Sequence, residues 1–221
     1  MANADLARRL AVYLVADPSQ TSRDLLADVE AALAGGVTAV QLRAKQVSDR
    51  ETLALARAMI EPCRRHNALF LLNDRIDLAL AAGADGVHLG VDDLPLADAR
   101  RLLPPNALIG YSPDTDGQAA NAGALGADYL GIGPCFTTTT KLDAGEAIGP
   151  EGFARRAGLS GLPCIGIGGI TAENAAEVIE AGAVGVAVTG AILRAANPER
   201  AASTLAGVVR RRLDAGKDAR D

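Results

Sequence analysis

The chain has 221 residues, of which 49% are hydrophobic and 3% aromatic, with 24 glycines and a formal net charge of −5. That length carries one domain with a full hydrophobic core and does not require two. The acidic balance excludes a global basic field for nucleic acid or an acidic membrane, so any anion site has to be local.

Met1 to Arg9 lacks the apolar stretch of a leader, and no later run reaches the length of a membrane span, so a soluble, cytoplasmic protein is expected. Apolar runs predict strands near 11–16, 38–43, 68–72, 86–89, 107–111, 128–132, 163–167 and 184–188. Amphipathic stretches predict helices near 22–34, 49–66, 75–82, 95–103, 116–124, 150–157, 172–181 and 198–212. A phrase recurs at their junctions: Gly35-Gly36-Val37, Gly83-Ala84-Asp85, Gly126-Ala127-Asp128 and Gly182-Ala183-Val184, each a glycine stop followed by a strand. Alternation of this kind implies parallel strands with right-handed crossovers. The leading architecture is a single (β/α)8 TIM barrel over residues 1–221, with its core at about 10–212 and a charged, flexible tail at 213–221. No GxGxxG follows Tyr13-Leu14-Val15-Ala16-Asp17, which argues against an open dinucleotide-binding sheet.

Barrel enzymes work at the C-terminal ends of their strands, so the residues after each run carry the functional reading. The second strand closes on Gln41-Leu42-Arg43-Ala44-Lys45. Strand alternation sends Gln41, Arg43 and Lys45 to one side, where an amide and two cations suit a diphosphate or form a solvated basic face. The third and fourth strands end in Asn73-Asp74-Arg75 and His88-Leu89-Gly90-Val91-Asp92-Asp93. Asp74 and Asp93 either hold Mg2+ beside substrate phosphates, or Asp74 caps the helix that follows it and Asp92 or Asp93 the one at Leu96. Ser112 follows the fifth strand. After the sixth, Gly133-Pro134 leads into Thr137-Thr138-Thr139-Thr140-Lys141, either a solvated surface loop or, as its place after a barrel strand favours, a loop that closes on a phosphorylated ligand. Gly168-Gly169 after the seventh strand and Thr189-Gly190 after the eighth offer backbone N–H groups at helix starts, the common phosphate site of these barrels.

His66 is explained by its place at a helix end, and His88 reads as a structural histidine. Neither has a serine or cysteine partner that sequence can place beside it, so a nucleophile triad is unsupported. Cys63, Cys135 and Cys164 are odd in number and outside any CxxC spacing, and read as small buried apolar residues.

Taken in order from Tyr13 to the last helix, these segments resemble the thiamine-phosphate synthase family of TIM barrels. The resemblance implies a transferase that joins a hydroxymethylpyrimidine diphosphate to a thiazole phosphate with Mg2+, releasing diphosphate. It gives Gln41, Arg43, Lys45, Asn73 and Lys141 to the pyrimidine diphosphate, Asp74 and Asp93 to the metal, and Ser112 to the pyrimidine. Thr138 and Thr140 fall over the thiazole phosphate, with Gly169 and Thr189-Gly190 adding contacts; Arg43, Lys45, Ser112 and Lys141 carry catalysis. Three positions depart from the family pattern: Ala44 stands where an acid is common, Thr137 where proline is frequent, and Thr189-Gly190 in place of an aliphatic-serine pair. The implied mechanism is dissociative and needs no protein nucleophile. A thiazole tautomerase-like paralogue and a non-catalytic phosphate-binding barrel are the alternatives. The implied partners are small molecules, with no nucleic acid or membrane, and a homo-oligomer is left open.

Overall fold

Val12–Ala16 is an unbroken apolar run and forms the first strand, β1, with all five residues buried. Seven more follow in parallel: β2 (Ala39–Leu42), β3 (Leu69–Asn73), β4 (Gly86–Leu89), β5 (Leu108–Tyr111), β6 (Tyr129–Ile132), β7 (Cys164–Ile167) and β8 (Gly185–Val188). They close into a barrel in sequence order, and β8 returns to β1 with Val12 opposite Val186 and Leu14 opposite Val188. The structure, a computed structural model, describes residues 3–138 and 145–218.

Alternation along each strand divides the core in two. Tyr13 and Val15 point into the barrel with Ala39, Leu71, Tyr129 and Ile165, while Val12, Leu14 and Ala16 face the surrounding helices. Those helices are α2 (Leu25–Ala34), α3 (Asp49–Arg65), α4 (Ile76–Ala82), α5 (Leu96–Leu102), α6 (Asp116–Asn121), α7 (Gly149–Ala157), α8 (Ala175–Glu180) and α10 (Pro198–Asp218). Their starts follow local chemistry: Ser48 and Glu51 make a reciprocal capping box at α3, as do Thr115 and Gln118 at α6. Gly83 closes α4 in the left-handed conformation, as the recurring glycine phrase requires. All three cysteines are buried and unpaired.

Four features differ from the sequence expectation. An additional helix, α1 (Asn3–Arg9), precedes β1; its Leu6, with Leu10 just after it, is buried with the residues of the barrel interior. A four-residue helix, α9 (Gly190–Leu193), follows β8. The region expected from 172 as helix begins α8 only at Ala175, because Thr171–Asn174 fold as a turn. Residues 213–218, expected in a flexible tail, continue α10 to Asp218; residues 219–221 lie outside the described residues.

Candidate active site

β2 ends at Leu42, one residue before the first expected cation, so strand alternation ceases to govern the side chains beyond it. Gln41 stays inside the barrel and is buried. Arg43 turns toward the end of β1, where its Nη1 donates to Asp17 Oδ2 at 2.6 Å. Lys45 turns the other way, to the end of β3, and its Nζ lies 3.0 Å from Asp74 Oδ2. The three residues therefore share the barrel mouth and splay across it; they do not form a parallel row. Asp17 is itself fixed, accepting from the backbone N–H and the hydroxyl of Ser19 at 2.9 and 2.7 Å. An arginine carries five N–H donors, so the contact through Nη1 does not exhaust its fork.

Asp74 has a φ of +62°, a left-handed conformation in which few residues other than glycine are found. That turn brings its carboxylate beside Lys45 and into hydrogen-bond contact with Asp93. Asp93 also accepts from the backbone N–H of Gly90 at 2.7 Å. Burial first, and then the Asp74 carboxylate, raise the Asp93 carboxyl above its usual range. Neither acid caps a helix: α4 starts behind Arg75 and α5 behind Pro95, both without a side-chain cap, and Asp92 is exposed. The capping alternative is set aside on that geometry. Arg75 faces outward and pairs with Asp49 and Asp77.

Two carboxyl groups held this close, one with its pKa raised by burial and by the other, form a crowded acidic pair that suits a divalent cation between them. Among the described residues no group of three or more His, Cys, Asp or Glu converges to form a complete metal site. The donor set thus fits Mg2+ shared with substrate phosphates and not an all-protein cage.

The barrel floor of this mouth is polar. Gln41 Nε2 donates to Tyr13 Oη at 3.0 Å, Tyr13 Oη lies 2.9 Å from Tyr129 Oη, and Tyr129 Oη lies 3.0 Å from His88 Nδ1. His88 Nε2 then lies 2.8 Å from Ser112 Oγ. Burial lowers the His88 imidazole to about 4, against the nearby Asp93 charge, so it is neutral at physiological pH. His88 does have a serine beside it, which sequence reading could not place. Tyr13 and Tyr129 were read only as strand residues, and the period-two pattern that buries them is the sole sequence signal of their role.

The loops after β6 and β7 are stitched together. Cys135 and Phe136 donate their backbone N–H groups to Ile167 O at 2.8 Å and Gly168 O at 2.9 Å. Gly169, at φ +66°, packs so tightly that a Cβ there would stand 2.5 Å from Thr137 O and 2.7 Å from Phe136 O. Asn174 braces the turn, donating from Nδ2 to Gly169 O at 3.0 Å and accepting from the Thr171 N–H at 2.8 Å. Thr138 and Asn73 are half-buried at the ends of β6 and β3, and Thr189-Gly190 lead from β8 into α9. Thr140 and Lys141 lie outside the described residues. A groove of about 490 Å³ opens instead beside α9 and α10, lined by Thr171, Arg200 and Thr204 among others, and none of the expected ligand residues borders it.

The thiamine monophosphate synthase family model matches residues 12–192. The chain is 50% identical to a thiamine-phosphate synthase of Laribacter hongkongensis over 85% of this chain and 89% of that protein. It is 48% identical to a bifunctional thiamine biosynthesis protein of Symbiobacterium thermophilum, spanning 93% of this chain and 42% of the longer partner. Among solved structures, a thiamine phosphate pyrophosphorylase from Pyrococcus furiosus superposes with a TM-score of 0.87 at 36% identity, over 94% of this chain and 99% of that one. With the closed barrel and with more than half its length matched, the chain belongs to the thiamine monophosphate synthase family.

Proposed function

We propose that the chain is a thiamine-phosphate synthase. It joins 4-amino-2-methyl-5-hydroxymethylpyrimidine diphosphate to 4-methyl-5-(2-phosphoethyl)thiazole, or its carboxylate form, and releases diphosphate. The observation that carries this reading is the mouth formed by Arg43, Lys45, Asp74 and Asp93, where two cations stand beside a pair of adjacent carboxyl groups. A simple anion sensor has little use for two acids beside its cations, and a tautomerase has no diphosphate to hold.

Arg43 and Lys45 grip the diphosphate, exchanging their present partners Asp17 and Asp74 for phosphate oxygens. Asn73 and Lys141 complete that grip, and Gln41 and Ser112 meet the pyrimidine. Asp74 and Asp93 would hold Mg2+, and the ion would supply charge neutralisation for the leaving diphosphate. The C–O bond to diphosphate breaks first, because preorganised donors at Arg43 and Lys45 stabilise the developing oxyanion. The electron-rich pyrimidine carries the resulting cation, and the thiazole nitrogen traps it with its lone pair. Thr138, Thr140, Gly169 and the Thr189-Gly190 backbone seat the thiazole phosphate, which fixes the attacking nitrogen near the cation. The test is product analysis with each substrate and Mg2+ omitted in turn. Thiamine phosphate from the complete mixture alone is expected, and its absence with folded protein would sink the proposal.

A further inference from the structure

Five polar side chains cross the barrel in single file, and the amide nitrogen that Gln41 turns toward Tyr13 gives the file a direction. Gln41 Nε2 can only donate, and it donates to Tyr13 Oη. Tyr13 has one proton left to give, and the neighbour at 2.9 Å is Tyr129 Oη. Tyr129 in turn accepts from Tyr13 and directs its own proton to His88 Nδ1 at 3.0 Å, which must therefore be bare. A neutral imidazole carries a single N–H, so it sits on Nε2 and points at Ser112 Oγ, 2.8 Å away. Ser112 accepts there, and its own proton is left for a group elsewhere. Burial raises both phenols well above their usual value, so each keeps the proton this count gives it.

We propose that Tyr13, Tyr129 and His88 are positioning residues, a one-way hydrogen-bond relay from the Gln41 amide that commits the Ser112 hydroxyl to donate into the barrel mouth. The inference rests on the reading of Ser112 as the pyrimidine contact and deepens it. The group recognised is an acceptor, a ring nitrogen with an unshared pair, and not an amino group. A relay running the other way would make Ser112 donate to His88 and accept from the ligand.

The barrel wall is shaped around this file. A Cβ at Gly110 would collide with the Tyr129 ring and hydroxyl and with His88 Nδ1, and one at Gly131 would stand 3.1 Å from His88 Cε1 and 3.3 Å from Ser112 Oγ. Glycine at both positions leaves room for the imidazole to lie between tyrosine and serine.

Nitrogen-15 NMR on the unliganded protein reads the direction without any turnover. His66 is the only other histidine, and it is exposed, so a His66→Gln background leaves one imidazole to observe. The expected spectrum has His88 as the Nε2–H tautomer; the Nδ1–H form, or an even mixture, overturns the relay. Kinetics then test its purpose through Tyr129→Phe, Ser112→Ala and the double variant. Each single change is expected to lower kcat with the pyrimidine diphosphate roughly tenfold while the KM for the thiazole phosphate stays within about twofold. The double variant should be no worse than Ser112→Ala, because the relay acts through that hydroxyl; fully additive losses contradict it. No turnover in any protein, wild type included, would sink the transferase reading and leave the tautomer to decide the relay alone.

Discussion

Arg43 and Lys45 illustrate how a residue's partner in the free protein prepares it for a ligand. Both cations are already balanced, by Asp17 and Asp74, so the mouth avoids the repulsion of two uncompensated charges. On the proposed reading, Arg43→Ala removes donors that act on the leaving group. It should lower turnover on the order of a hundredfold while thiazole-phosphate binding changes little, as single-turnover and binding measurements would show. Loss of thiazole-phosphate binding with turnover retained would reverse the assignment. Asp93 carries a different balance. Its carboxyl titrates above the unfolded value of 3.8, so the folded protein holds that proton more tightly than the unfolded chain. The associated stability is present below that value and lost as pH rises through the folded pKa. At neutral pH, then, Asp93 is destabilising, and Asp93→Asn should melt higher than wild type in metal-free buffer at pH 7 to 8. The advantage should shrink toward pH 4, and turnover with Mg2+ should fall in the same variant. A variant that melts lower at neutral pH would remove the case for carboxyl crowding beside Asp74.

At the scale of elements, the junction between the β6 and β7 loops is the most constrained part of the mouth. Gly169→Ala places a methyl against Phe136 O and Thr137 O and forces a residue with a side chain into φ +66°. It should destabilise the protein by about 1–3 kcal/mol in urea unfolding, and speed amide exchange at Cys135 and Phe136. Unchanged exchange there would show that the stitch to Gly168 is not under strain. Sequence made the eight strands legible because each is a short apolar run, four of them entered through a glycine stop, and the barrel followed from their number. It does not show α1, a short polar helix with Leu6 as its one buried leucine, followed by Leu10. It also ended the last helix too soon, since Leu213 and Asp214 continue a periodicity that charge alone had suggested was a tail. The splay of Arg43 and Lys45 was illegible for a related reason. Alternation predicts a face only while the strand lasts, and β2 stops at Leu42.

Across the whole molecule, the closed sheet brings residues from distant parts of the chain to one rim: Asp17, Arg43, Asp74, Asp93 and Ser112 follow β1 to β5 in order. Candidate positions after each strand could be read from sequence on that rule, whereas the pairs they form could not. Tyr13 and Tyr129 are 116 residues apart, and only barrel closure makes them neighbours. Among the described residues no helix is long and apolar enough to cross a membrane. The central claim is that this rim binds a metal-linked diphosphate and releases it as the pyrimidine is transferred. The most direct measurement is simultaneous detection of thiamine phosphate and diphosphate from purified protein, supplied with both substrates and Mg2+. Equimolar appearance of the two products, abolished by omitting either substrate or by chelating the metal, is the predicted result; folded protein that forms neither would contradict the account.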